Sequence, residues 1–171
     1  VANLIGEQDK GWTYAKSLLA HERTAIAGVG DSKRRIHRLR ELARRETSAG
    51  KPLLDDPLFQ ARLADIEIEL MALETMELRA LFEASKGKGP GAESSLLKIK
   101  GSEVQQAIQQ LMMDMAGLYG AVLPGALDAQ AIGHDFGDEA RRACMSGRAS
   151  TIYGGSNEVQ KNITAKAVLG L

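Results

Sequence analysis

From Asp56 onward the apolar residues keep a regular spacing: Phe59, Leu63, Ile66, Leu70 and Leu73 follow one another at intervals of four and three. That is the 3.6-residue period of an α-helix, and it puts all five side chains on one stripe that needs a partner to bury it. Asp56-Pro57 opens the segment in the preferred order, a capping carboxylate before a first-turn proline. Lys86-Gly87-Lys88-Gly89-Pro90-Gly91 breaks it. The same seam recurs in Leu97, Val104, Ile108, Leu111, Met115 and Leu118. An earlier pattern runs from about Gln8 to Thr47, carrying Trp12, Ala15, Leu18, Leu19, Ile26 and Val29 and then Ile36, Leu39 and Leu42. Gly28 and Gly30 fall inside it and predict close helix packing or a bend. Ser48-Ala49-Gly50-Lys51-Pro52 ends it. Such stripes pack as antiparallel neighbours, so the expected fold is an all-α, up-down bundle of four or five helices forming one domain over residues 1–171.

The remainder is read as connections and two shorter helices. From Gly120 to Gly137 the pattern dissolves into Gly, Pro and Ala with His134 and Asp135, a long loop facing a ligand or an interface. A short helix is expected around Asp138 to Ser146, then a turn at Gly154-Gly155, then a last helix from about Ser156 to Leu169 that Gly170 stops. Residues 1–8, with Asn3-Leu4-Ile5-Gly6-Glu7 resembling a strand tail running into a turn, are expected to end a preceding linker, the chain being a fragment of a larger protein.

Several function classes are disfavoured at this level. Lys and Arg number 22 against 22 Asp and Glu, so no global field draws the chain to nucleic acid or an anionic membrane. The single Cys144 allows no internal disulfide and suits a reducing, cytoplasmic setting. No apolar run approaches a membrane span, and the start carries no signal-peptide pattern. His21, His37 and His134 are scattered without ligand spacing, so no metal site is expected. The six methionines read mostly as core filling. The basic run Lys33-Arg34-Arg35 through Arg38, Arg40, Arg44 and Arg45 reads as a solvated helix face, with a phosphate-binding patch as the alternative.

Two features could carry chemistry. Thr151-Ile152-Tyr153 followed by Gly154-Gly155 and a helix start is a way of bringing bare backbone against a ligand, because glycine accepts positive φ without a Cβ clash. An ordinary loop before a surface helix would look the same. Glu22 lies three and four residues from Leu18, Leu19, Ala25 and Ile26, which points it into the apolar face. A carboxylate buried there is pushed toward neutrality and can accept a proton near pH 7; otherwise it is an ion-pair partner of Arg23 or another arginine.

Residues 150–171, with Ile152-Tyr153-Gly154-Gly155-Ser156-Asn157-Glu158-Val159-Gln160-Lys161-Asn162-Ile163 at their centre, closely resemble the C-terminal signature of the acyl-CoA dehydrogenase family. Leu18-Leu19-Ala20-His21-Glu22-Arg23 resembles the family's helix segment beside the flavin ring, and the likeness covers essentially the whole chain as the family's C-terminal helical domain. The resemblance implies FAD as cofactor, an acyl-CoA thioester as substrate, α,β-dehydrogenation with a glutamate taking the α-proton, and a homo- or hetero-oligomer, dimer or tetramer. The usual base sits in a Tyr-Glu-Gly-Thr turn, where this chain has Gly154. Some branches place it instead on the first helix before an arginine, which Glu22-Arg23 matches. By the same resemblance Ser156, Asn157 and Glu158 touch FAD, Arg23 and Gly155 approach the acyl-CoA, and Arg45 reaches a neighbouring subunit's FAD. In the family's Arg-x-x-Phe-Gly element Ala49 replaces the aromatic and Glu46 the arginine, unless Arg45 shifts into its place. A non-catalytic interaction subunit of a hetero-oligomeric dehydrogenase is the alternative.

Overall fold

A computed structural model describes residues 3–89, 91–122 and 135–170, without the side chains of residues 20, 21, 23 and 24. The expected His134 loop therefore lies largely outside the described residues, as does the side chain of Arg23. Among the described residues six α-helices form an all-α bundle: α1 (Gly11–Ile26), α2 (Val29–Arg45), α3 (Pro57–Ser85), α4 (Glu93–Ala116), α5 (Gly137–Gly147) and α6 (Asn157–Leu169). Short 3-10 turns precede α3, follow α4 and follow α5. No helix among the described residues is long and apolar enough to cross a membrane.

The local signals act as their chemistry dictates. Asp56 Oδ1 accepts from the amides of Leu58 and Phe59, both at 2.9 Å, and starts α3. Gly170 stops α6 at φ +71°. Phe59, Leu63, Ile66, Leu70 and Leu73 are buried and meet Ile36, Leu39, Leu42, Leu97, Val104, Ile108, Leu111 and Met115 in one core. Leu118 does not join them: it lies past the end of α4 in a 3-10 turn and is 90 % exposed. The methionines divide, with Met112 and Met115 buried and Met71 and Met145 exposed.

α2 and α3 are linked by a two-residue hairpin, β1 (Thr47–Ser48) against β2 (Lys51–Pro52), turned by Ala49 and Gly50 at φ +51° and +78°. Along α2 the basic run is a solvated face whose charges are met by acids: Lys33 by Glu74, Arg34 and Arg35 by Asp31, Arg40 by Glu67.

α4 is the hub, packed against α1, α2, α3, α5 and α6. It can serve five neighbours because small residues alternate with large ones on its buried surface: Ser94, Ser95, Gly101 and Ser102 let backbones approach where Leu97, Ile108 and Leu111 fill space. The closest approach is to the break in the first long pattern. That pattern forms two helices, because Gly28 takes φ +59° and turns the chain. A Cβ on Gly101 would sit 2.5 Å from Ala27 Cα and 2.7 Å from Ala27 O. Gln105 of α4 also donates its side-chain amide to Ile26 O at 2.8 Å, satisfying a carbonyl left open at the end of α1. Gly30, with nothing within 4 Å of its absent Cβ, takes no part in this packing.

Candidate functional site

The Gly-Gly turn is built from both sides. A 3-10 turn over Arg148–Thr151 delivers Ile152 and Tyr153, whose amides donate to Ala149 O at 2.9 and 3.0 Å. Gly154 and Gly155 then take φ +68° and +86°, a left-handed run that only glycine adopts without strain. Ser156 caps α6, its hydroxyl oxygen accepting from Val159 N at 3.4 Å. From α6, the fully buried Gln160 donates its side-chain amide to Gly154 O at 3.2 Å, and a Cβ on Gly155 would collide with that same amide nitrogen. Both glycines are therefore required by conformation, and Gly155 by space as well.

A side chain at residue 154 would also have to push a neighbour aside, in addition to holding the left-handed conformation. Its Cβ would fall on Ile26 Cδ1, with Lys98 Cε 4.0 Å away. Ile26 ends α1, and Glu22 stands one turn before it on the same face of that helix. The close packing of Ala27 on Gly101 thus brings Glu22 to within about one helical turn of the point where the Gly-Gly turn meets α1. Glu22 itself is exposed, contrary to the burial read from its apolar neighbours. The reason lies in α1: Trp12 and Leu18 are 71 % and 69 % exposed, and although Leu19 and Ile26 are half-buried, the described residues leave the side of the helix that carries Glu22 open. Periodicity located that face correctly and could not tell what covers it.

The other residues singled out from sequence divide. Gly155 and Glu158 are exposed and Ser156 half-buried beside them, so these three share one outward patch. Asn157 is buried, and its side chain is used internally. Its Oδ1 accepts from Lys98 Nζ at 2.7 Å and its Nδ2 donates to Ser102 Oγ at 3.1 Å. Arg45 closes α2, exposed, with its guanidinium 3.3 Å from both carboxylate oxygens of Asp135 rather than on any group of the turn.

Lys98 was missed by sequence reading. It lies on α4, fully buried, and burial drives its ammonium below the usual lysine range while the Glu158 carboxylate opposes that. The available signal was slight: a lysine set between Leu97 and Ile99, both of which are buried. Glu158 is held below the usual carboxylate range first by its own backbone N–H and then by the Ser156 hydroxyl. A depressed folded pKa contributes stability above the ordinary value of 4.5 that is lost as pH falls through the lower folded value. Acidification below that value is accordingly expected to fray the first turn of α6. Amide exchange at residues 157–159 measures it, and Glu158→Gln should flatten the profile; a wild-type turn equally protected at every pH would refute the cap.

A cavity of about 640 Å³ opens between Ala25, the end of α3 and the connection into α4, bordered by Glu77, Glu83 and Lys88. It includes no residue of the turn. Burial, and then the neighbouring Glu74, push the Glu77 carboxyl upward.

Residues 9–169 match the family profile described as acyl-CoA dehydrogenase, C-terminal domain. Among curated proteins the chain is 34 % identical to acyl-CoA dehydrogenase IpdE1 of Mycobacterium tuberculosis, over 98 % of this chain and 40 % of the relative. It is 31 % identical to acyl-CoA dehydrogenase FadE26 of the same organism, over 100 % and 42 %. The chain thus spans about two fifths of the length of the relatives it matches. Among solved structures it superposes on the ChsE4-ChsE5 complex of Mycobacterium tuberculosis with a TM-score of 0.76 at 29 % identity, covering 100 % of this chain and 43 % of that one. It shares the fold of butyryl-CoA dehydrogenase from Megasphaera elsdenii, with a TM-score of 0.77 at 23 % identity over 98 % and 41 %. On the profile match and the identity to these relatives, the chain belongs to the acyl-CoA dehydrogenase family, as its C-terminal helical domain.

Proposed function

We propose that this domain serves an FAD-dependent α,β-dehydrogenation of an acyl-CoA thioester in which Glu22 is the base that takes the α-proton. The observation that carries the reading is steric. Ile26 fills the space a side chain at Gly154 would need, and Glu22 stands one turn away on the same helix face. The carboxylate denied to the turn is therefore offered from α1 to the same place. Covering the apolar face of α1 with another part of a longer protein would exclude water from around Glu22, as proton abstraction beside a bound thioester requires.

The outward patch fits the uncharged part of FAD. Gly155 presents bare backbone, Ser156 a hydroxyl and Glu158 an acceptor for ring or ribityl donors. The Glu158 carboxylate already sits on its own amide at the start of α6, so that helix end is a poor site for pyrophosphate. Arg45 is the candidate for the phosphates, once released from Asp135. Bound there, the flavin would accept the hydride from the β-carbon. The residues of this chain orient the thioester at the turn, with Arg23 beside Glu22, and hold the base at its α-carbon. With Cys144 buried and unpaired, a cytoplasmic setting belongs to the same reading.

One observation favours a second reading, a non-catalytic subunit whose flavin site is completed by another chain. Arg45 is tied to Asp135, and the hairpin beside it turns on Ala49 rather than an aromatic. Flavin stoichiometry of the full-length protein separates the two. One FAD per chain with reduction of its absorbance by saturated acyl-CoA is expected; a colourless protein that gains flavin only with a partner chain supports the second reading.

Assembly is part of both readings. α3 carries a second, outer apolar stripe, Ile68, Met71, Leu78 and Phe82, each more than half exposed, at intervals of three, seven and four residues that keep them on one helix face. Light scattering of the full-length protein should show an oligomer, and Ile68→Glu with Leu78→Glu should reduce it to monomer; a wild-type monomer at high concentration would remove assembly from the reading.

A further inference from the structure

An ammonium is an expensive group to bury, and Lys98 is buried with a single hydrogen-bond partner among the described residues, the Glu158 carboxylate offsetting part of the cost through its charge. Its Nζ donates to Asn157 Oδ1 at 2.7 Å, and its two remaining donors have no partner among the described residues. A neutral side chain of the same length, methionine, would fill the space without that desolvation, so packing alone gives no reason for a lysine. What the lysine does is structural information of another kind. Asn157 is the first residue of α6, and its amide is clamped between Lys98 on one side and Ser102 on the other, with Ser102 Oγ in turn donating to Ile99 O at 2.8 Å. The clamp ties the first turn of α6 to the hub helix. Next to it, Lys98 Cε lies 4.0 Å from the Cβ position of Gly154, and Gln160 holds Gly154 O from the other side. The left-handed glycines therefore run between two buried polar anchors. Glycine is the residue with most conformational freedom to lose, and nothing in the local sequence from Tyr153 to Ser156 confines it.

We propose that Lys98 is a positioning residue for the ligand turn: acting through Asn157, it fixes the rotation of the first turn of α6 and so holds Gly154, Gly155 and Ser156 in the conformation that receives the flavin. The proposal rests on the reading of that turn as a flavin site. It predicts a local effect separable from stability, because the polar anchor can be replaced by an apolar pair that packs but does not orient an amide.

The experiment uses the full-length protein with Lys98→Met, Asn157→Asp, and the double variant Lys98→Met with Asn157→Leu. Lys98→Met should speed amide exchange across residues 152–158 by about tenfold or more, against unchanged protection at residues 104–115. It should weaken FAD binding, followed by flavin fluorescence quenching, by a similar factor. The double variant should regain the wild-type melting temperature while its turn stays unprotected. Asn157→Asp keeps an acceptor for Lys98 and for the Ser102 hydroxyl and should keep the protection of the turn. The proposal is overturned if the double variant recovers turn protection along with stability, or if Lys98→Met leaves exchange at the turn unchanged. Exchange is read without flavin, so a wild-type protein that binds no FAD would sink the functional reading while the exchange data still decide this one.

Discussion

Glu22→Gln in the full-length protein is expected to lower dehydrogenation of acyl-CoA by about 10²-fold or more, because glutamine keeps the shape and removes the basicity. Folding and flavin content should be unchanged, since Glu22 is exposed on α1 within this chain and has no hydrogen-bond or ion-pair partner among the described residues. The complementary experiment is more demanding. Returning a glutamate to the turn by Gly154→Glu should not rescue Glu22→Gln, since its Cβ would land on Ile26 Cδ1 and its backbone must hold φ +68°. Adding Ile26→Ala opens that space, leaving only the left-handed conformation, which costs about 1–2 kcal/mol for a residue with a Cβ. Partial recovery in the triple variant, and none in the double, is the expected pattern. Full turnover in Glu22→Gln would move the base out of this domain. Rescue without trimming Ile26 would contradict the contact between α1 and the turn.

Gly101→Ala is expected to be the most damaging single-methyl change in the bundle. The added Cβ meets backbone, Ala27 Cα at 2.5 Å and Ala27 O at 2.7 Å, which no side-chain rotation can relieve. Overpacking of this kind costs about 1–3 kcal/mol, and the strain should be released by pushing α1 away from α4. That displacement carries Ile26 and Glu22 away from the turn, so activity should fall by about tenfold or more beyond what lost folding explains. Gly30→Ala is the matched control: the site is open and helical, so it should be neutral or stabilise by about 0.5–1 kcal/mol. Urea midpoints and turnover on the two variants test the pair, and a Gly101→Ala protein with wild-type values for both would break the link from packing to site.

The secondary elements and the core were legible in the amino-acid order because they depend on short-range physics. A stripe such as Phe59, Leu63, Ile66, Leu70 and Leu73 states its own helix and its own buried face, and Asp56-Pro57 states where that helix begins. That the Gly-Gly pair makes a turn into a helix was equally legible, since positive φ and a serine cap are local properties, but the pair alone did not separate a ligand turn from an ordinary loop. What tertiary structure alone decided was which faces meet and which remain uncovered. Glu22 reads as buried from its neighbours and is exposed, because burial depends on whether another surface arrives, and sequence spacing carries no information about that. Lys98 reads as one more surface lysine in a helix and lies fully buried, because only the packing of α6 across α4 removes it from water and hands it Asn157. The contact of Ile26 with Gly154 joins residues 128 positions apart and has no local signature at all. It arises because Gly101 lets the backbone of Ala27 approach α4, and that approach is a property of the assembled bundle.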